Sequence, residues 1–426
     1  MSQIDAPPGA STTSVPHKRP GLWFIAALTL AVTSTHAALM SNAILTLSLK
    51  ASEISDERAT TVLSVVVGVG SLFALLGYPV IGRLSDSTTS RWGRRRPYLF
   101  AGIVLLGAGA YLSVSAASTA VLTCGYVLTT LGAVCALVAC SAVVPDQFAA
   151  EHRGLPSAVL GLGLPLGALL GLFLAQLVQP NLAAMFFVPA AVAMLCLLVL
   201  AFSLRDTRLE KSLRPAFSAR EFMGTFWVNP LRHPAFGWAW WSRMLIFFGV
   251  ASVNSYQAFY LIMVHGIDPA VVGSSIFAAS ILSTGLSLLF APLLAKWSDL
   301  VGRRKPFVIG SAVVFAIGLA VIATANSYPM FLLAVAIMGI GQGVYFAVDM
   351  ALVIDVLPDP KTHAKDLGIM NLAMSLPSSV VPAVAPALLA IGASAANPQN
   401  FAALFLAGTI AAVLGALCIV PIRSVK

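Results

Sequence analysis

The sequence predicts an all-α membrane protein in which twelve transmembrane helices form two similar six-helix bundles. Three observations carry this expectation: the chain is overwhelmingly apolar, its apolar residues fall into twelve long runs, and landmarks in the first half recur in the second. Of 426 residues, 58% are hydrophobic and 10% charged, and the mean hydropathy is +0.91. An ordinary soluble domain is about a quarter charged, so a water-facing surface cannot be assembled from this composition.

The first run, Leu22 to Leu49, follows a polar, Pro-rich tail of residues 1–21. Five more follow at Thr60 to Ile81, Tyr98 to Ala117, Ala120 to Val144, Ala158 to Val178 and Leu182 to Leu204. A polar interval at 205–235 separates these from Phe236 to Val264, Ala270 to Ala295, Phe307 to Ala325, Pro329 to Ile354, Leu367 to Ala390 and Phe401 to Pro421, with residues 422–426 as a short tail. Each run reaches the roughly 20 residues that cross a bilayer as a helix, and Gly and Pro within them are tolerated where neighbouring helices satisfy the backbone. The domains are therefore expected at 22–204 and 236–421.

The net charge of +9 raises the question of nucleic acid, but the basic residues follow loop parity. Of 25 Lys and Arg, 22 fall in the N-terminal tail, the even-numbered loops and the C-terminus; Lys50 and Arg58 lie in the first odd loop, and Arg243 lies within a span. The positive-inside rule then puts both termini in the cytoplasm, of a cell inner membrane, with an even number of crossings. Cys124, Cys135, Cys140, Cys196 and Cys418 sit in apolar runs without CxxC spacing and are expected as small buried hydrophobes, not a disulfide or metal framework. No phosphate-binding loop, paired intramembrane aspartates or metal motif is present, so enzymatic chemistry and direct ATP coupling are not expected.

The two halves repeat. Ser85-Asp86 recurs as Ser298-Asp299 and Val144-Pro145-Asp146 as Leu357-Pro358-Asp359, each 213 residues on, while Gly93-Arg94-Arg95-Arg96-Pro97 matches Gly302-Arg303-Arg304-Lys305-Pro306 across a first loop four residues longer. A duplicated six-helix unit is a transporter architecture, with solute bound between the halves.

The segment Gly82-Arg83-Leu84-Ser85-Asp86 with Arg91-Trp92-Gly93-Arg94-Arg95-Arg96-Pro97 resembles the signature loop of the major facilitator superfamily. Its spacing is similar to that of the sucrose-transporter and glycoside-pentoside-hexuronide symporter branch, although Ser87 stands where that branch usually has a basic residue. The resemblance implies a solute transporter working by alternating access on a sugar-like small molecule. The proton is then the expected coupling ion, with no other cofactor, no nucleic acid and no obligate protein partner besides the lipid bilayer. The alternative is a proton-driven exporter of amphipathic compounds, and a non-transporting receptor ranks behind both.

Several residues are expected to matter. Asp86 at a helix end can pair with Arg91 or Arg94 to latch one arrangement of the halves, with Gly82 and Gly93 shaping the loop and Asp299 with Arg303 as the second-half counterpart; the bland alternative is retention charge alone. Arg243, Phe247, Val250, Asn254 and Gln257 share one face of the seventh run, and Gln342, Tyr345 or Phe346, and Asp349 share a face of the tenth. Arg243 and Asp349 lie at similar depth, about 10–12 Å from the basic ends of their helices. The resemblance turns both faces toward the solute pathway. An Arg243–Asp349 pair is expected to make and break during transport, with Asp349 as the protonatable group, against the alternative of a purely structural pair.

His36, on a face with Thr29, Thr33 and Met40, offers a hydrogen-bonding or proton-shuttling group, or is simply satisfied by a neighbouring helix. Asn42 and Asn254 mark the outer ends of equivalent helices, and Asn371, ahead of Pro377, is a further pathway candidate. Gly163, Gly167 and Gly171 have small-xxx-small spacing and are expected to pack a neighbouring helix closely. The fifth span also loosely resembles the antiporter motif of drug exporters, without its Gly-Pro pair. Trp238, Trp240 and Trp241 are expected at the interfacial aromatic belt.

Overall fold

The computed structural model describes residues 21–148, 152–204, 206, 233–356, 363–393 and 399–422, and all regular secondary structure among these is helical. Among the described residues, twelve helices are long and apolar enough to span a membrane. They are α1 (Leu22–Ile54), α2 (Ala59–Asp86), α3 (Arg96–Val114), α4 (Thr119–Gln147), α5 (Gly154–Leu177) and α6 (Leu182–Ser203), then α7 (Pro234–Met263), α8 (Val272–Val301), α9 (Lys305–Thr324), α10 (Tyr328–Asp355), α11 (two segments, His363–Ser375 and Pro377–Ala390) and α12 (Phe401–Ile419).

Several helices outrun their apolar runs because a helix continues past the hydrocarbon boundary while its polar side chains meet water. Lys50 therefore lies inside α1, paired with Glu53 at 3.1 Å, and not in a loop. Within α1, Asn42–Thr46 form a π-helical turn. In α11 the break falls at Leu376, where Pro377 cannot donate to the ladder.

Outward faces are apolar: Leu195, Phe202, Ile317 and Leu417 are all more than half exposed, as lipid-facing side chains must be. Between helices, small residues set the spacing, because apolar side chains gain little by leaving lipid for protein and close backbone approach supplies the packing energy. The α1–α5 seam shows this. A β-carbon at Gly167 would stand 2.7 Å from the Thr33 carbonyl, and one at Gly171 would stand 2.9 Å from the Ala37 carbonyl carbon. The small-xxx-small face of α5 thus packs directly on α1.

The repeat is visible in the same contacts. A β-carbon at Gly132 would lie 2.8 Å from Leu106 N, and one at Gly341 would lie 2.5 Å from Phe315 N. Gly109 meets Thr129 N as Gly318 meets Met338 N. These pairs are 209 residues apart, not 213, since the first bundle's α2–α3 loop is four residues longer and every later landmark shifts accordingly. In this register Asp146, near the end of α4, corresponds to Asp355 at the end of α10 and not to Asp359, which lies outside the described residues. Loop chemistry repeats as well. Gly93 and Gly302 both take positive φ, 102° and 66°, where a side chain would strain the backbone. Arg96 Nη2 donates to the Leu204 carbonyl at 2.5 Å and its counterpart Lys305 Nζ donates to the carbonyls of Val420 and Ile422 at 2.5 and 3.1 Å, so each bundle's third helix caps the end of its sixth.

The described contacts between bundles gather toward one face, that of the α1–α2, α5–α6 and α7–α8 connections. There Phe173 of α5 packs on Phe277 of α8 with ring centroids 5.6 Å apart, and Gly68 of α2 lies against Pro382 of α11. The opposite face carries the basic α2–α3 and α8–α9 loops.

Candidate functional site

The strongest polar feature inside the helices is an ion pair joining α7 to α10. Arg243 Nε and Nη2 both reach Asp349 Oδ2, at 2.8 and 2.5 Å. Arg243 is 5% exposed and Asp349 1%. Each helix carries its charge within an apolar run, and breaking such a buried pair leaves an uncompensated charge. Both nitrogens engage one carboxylate oxygen. The other, Oδ1, makes no hydrogen bond of good geometry among the described residues, and the same holds for the buried hydroxyls of Tyr345 and Ser242 beside it.

One helical turn further from the basic ends of the two helices, Phe247 of α7 stacks on Phe346 of α10, with centroids 5.2 Å apart and planes 18° off parallel. Phe346 is 38% exposed whereas Tyr345 is fully buried, so the open position on α10 is Phe346. Gln342 is half-buried on the same helix. Along α7, that face is buried at both ends, at Arg243 and Gln257, and most open between them, at Asn254. His36 is half-buried; its Nδ1–H donates to the Val32 carbonyl one turn back at 2.9 Å, its ring lies near Gly163 and its β-carbon against Gly167 of α5. Asn42 is buried in the π-turn, well inside α1 and not at its end. Asn371 is exposed on the first segment of α11.

At the basic face, Asp86 pairs with Arg94 at 3.4 Å and Arg95 at 2.9 Å. Arg95 is the hub. Its Nε donates to Asp146 Oδ2 at 2.8 Å and its Nη1 to Ser85 Oγ at 2.8 Å, which ties the end of α2, the start of α3 and the end of α4 together. Burial of the guanidinium works against its charge, yet the Asp146 and Asp86 carboxylates outweigh that, and its pKa stands above the ordinary arginine value. Asp206 Oδ2 accepts from the backbone N–H groups of Arg95 and Arg96 at 2.6 and 2.8 Å, a carboxylate cap on the N-terminus of α3 supplied from beyond α6. Gly82 borders open space, with nothing within 4 Å of where a β-carbon would stand. Of the alternatives Arg91 or Arg94 expected to pair with Asp86, the ion pair is with Arg94, and Arg95 adds a second one. In the second bundle Ser298 Oγ donates to the Arg303 carbonyl at 3.4 Å, and the Asp299 side chain lies outside the described residues.

Sequence reasoning passed over three groups. Arg95 and Asp146 are 51 residues apart and look like retention charge and a repeat marker until the fold joins them. Gln179 in the α5–α6 connection donates from Nε2 to the Pro269 carbonyl at 2.5 Å and accepts at Oε1 from Gly273 N at 3.1 Å, bridging the bundles; Ser64 and Tyr256 hydroxyls meet at 2.6 Å nearby. Trp240 donates its indole N–H to the Ile369 carbonyl at 2.9 Å, so one member of the aromatic cluster anchors α11, while Trp238 and Trp241 remain exposed. All five cysteines are free; Cys135 and Cys140 are buried, but Cys124 is exposed and departs from the expected buried role.

A family model described as Major Facilitator Superfamily matches residues 22–289 and 266–426. A Synechocystis sp. protein described as an uncharacterized symporter is 46% identical over 39 residues, which is 9% of this chain and 7% of that one. Among solved structures, a bacterial homologue of the human lysosomal transporter Spinster, inward-facing and unoccupied, superposes with TM-score 0.70 at 14% identity over 93% of this chain and 94% of that one. The nucleoside transporter NupG gives TM-score 0.71 at 11% identity over 94% and 100%. The human organic anion transporter MFSD10 gives 0.63 at 15% over 93% and 98%.

Proposed function

The chain belongs to the Major Facilitator Superfamily, a multi-pass membrane transporter and not an enzyme, and from that premise we propose that it couples movement of a sugar-like small solute to proton symport, by alternating access, with its termini in the cytoplasm. One observation carries the coupling: Arg243 grips a single oxygen of Asp349, so the second oxygen remains a proton acceptor inside the bundle. Protonation there neutralises the carboxylate, weakens the hold of Arg243 and releases α7 from α10, the two helices that carry the candidate pathway faces. The short match to a described symporter supports the direction of coupling. Contacts gathered at the face opposite the basic loops support a state open toward the basic side, where the positive-inside rule puts the cytoplasm.

Proteoliposomes loaded at neutral pH and placed in acidic medium test this with a panel of labelled sugars. Accumulation should collapse when a protonophore abolishes the gradient. Asp349→Asn should lose gradient-driven accumulation by on the order of a hundredfold, the scale of a removed proton-transfer group, while equilibrium exchange survives. Accumulation by Asp349→Asn at the wild-type level would remove Asp349 from the coupling step.

The second reading is a proton-driven exporter of amphipathic compounds. The stacked Phe247–Phe346 pair beside the charges favours it, because aromatic walls bind apolar bodies with few hydrogen bonds. Gradient-driven movement of cationic dyes with no sugar uptake would select it.

A further inference from the structure

Away from the pathway, a cavity of about 270 Å³ opens between α8 and α9 with α10 as its floor. Leu294 and Trp297 form one wall, Phe307, Gly310 and Val314 the other, and Gly341 lies at the base. Trp297 and Phe307 meet edge-to-face at its rim, with centroids 5.4 Å apart. From Phe307 to Val314 the groove descends about 10 Å along α9, most of the roughly 15 Å of one leaflet's hydrocarbon. Its upper end lies near the α8–α9 loop; Lys296, beside Trp297 in the last turns of α8, and Arg303, in the loop, are both exposed. An apolar slot reaching about two thirds of the way through a leaflet, with a tryptophan at its rim and two exposed cations near its upper end, has the layout of one lipid molecule.

We propose that this groove is a binding site for an anionic phospholipid, one acyl chain between α8 and α9 and its phosphate on Lys296 and Arg303. The chain itself gains little by leaving other lipid tails, since both environments are apolar, so shape fixes where the lipid sits and the headgroup charge fixes which lipid it is. Basic pockets between transmembrane helices select anionic headgroups on this principle. Interfacial tryptophans sit at headgroup depth, which puts the Trp297 indole N–H within the same layer as the phosphate.

The full-length protein in detergent, titrated with phosphatidylglycerol or phosphatidylcholine of identical chains and read by native mass spectrometry, tests the site. Two basic contacts should give phosphatidylglycerol roughly tenfold tighter retention. Lys296→Gln with Arg303→Gln should erase that preference and leave phosphatidylcholine retention unchanged. Gly310→Leu should displace both lipids; a β-carbon at 310 meets nothing within 4 Å, so the fold accepts it. A phosphatidylglycerol bearing a photoactivatable group in its chain gives a readout on unmutated protein and should label the peptide spanning 294–314. Equal retention of the two lipids, unchanged retention in Gly310→Leu, or labelling confined to other helices would each overturn the proposal.

Discussion

A buried charge pair is worth less than its Coulomb attraction suggests, because both ions have lost their solvent, but either partner left alone is costly. Arg243 and Asp349 therefore give a sharp expectation. Arg243→Met should lower stability by about 3–5 kcal/mol, and adding Asp349→Leu should recover most of that loss, measured as melting temperature in detergent. A double variant no more stable than Arg243→Met would mean that the stranded Asp349 charge is not what weakens the single variant. Arg95→Gln should cost less, about 1–3 kcal/mol, since Asp86 and Asp146 keep partial access to water while Ser85 loses its donor. The intramembrane pair is legible in the sequence because charge in an apolar run stands out and two such charges at one depth suggest each other. Arg95 is not, because charges in a basic loop carry no such contrast, and only the fold reveals which arginine of that loop is buried between two carboxylates.

At the scale of helices, spacing is set by what is missing from a side chain. Gly171→Val should wedge α5 from α1, with a cost of about 1–3 kcal/mol from overpacking; expression and thermal stability report it, and an unchanged protein would show that the seam yields. The opposite-face closure depends on few bonds. Gln179→Leu keeps the size of the residue but removes its two hydrogen bonds between the bundles, and a cysteine placed at Ser64 should then react several times faster with a membrane-impermeant thiol reagent. No change in rate would demote Gln179 to a passive loop residue. The small-residue stripe is readable from its four-residue period, and the structure gives it a partner. The cross-bundle role of Gln179 leaves no trace in the sequence, because a lone glutamine in a loop matches no pattern. The repeat itself is legible but misregistered in its later half by four residues: a second Pro-Asp pair at an offset of 213 conceals the shorter loop, and the glycine contacts correct it.

For the whole molecule, twelve runs of apolar sequence become twelve helices because in hydrocarbon the backbone has no other way to satisfy itself. Orientation follows from charge parity, and single cysteines at Gly266 and Gly302 should label from opposite sides of the membrane in intact cells, the first from outside. Both positions take positive φ as glycine, so the two variants carry comparable local strain and differ in side. Labelling of both from one side would overturn the topology. The bundles touch mainly at one face, where Phe173 meets Phe277, and this gives the molecule the mechanics of a lever. A rocking of about 10° around that contact sweeps the far face by about 5 Å across a hydrocarbon layer of roughly 30 Å. A small change in ring packing at the pivot is thus magnified at the other end into a gap wide enough to admit or exclude a water molecule.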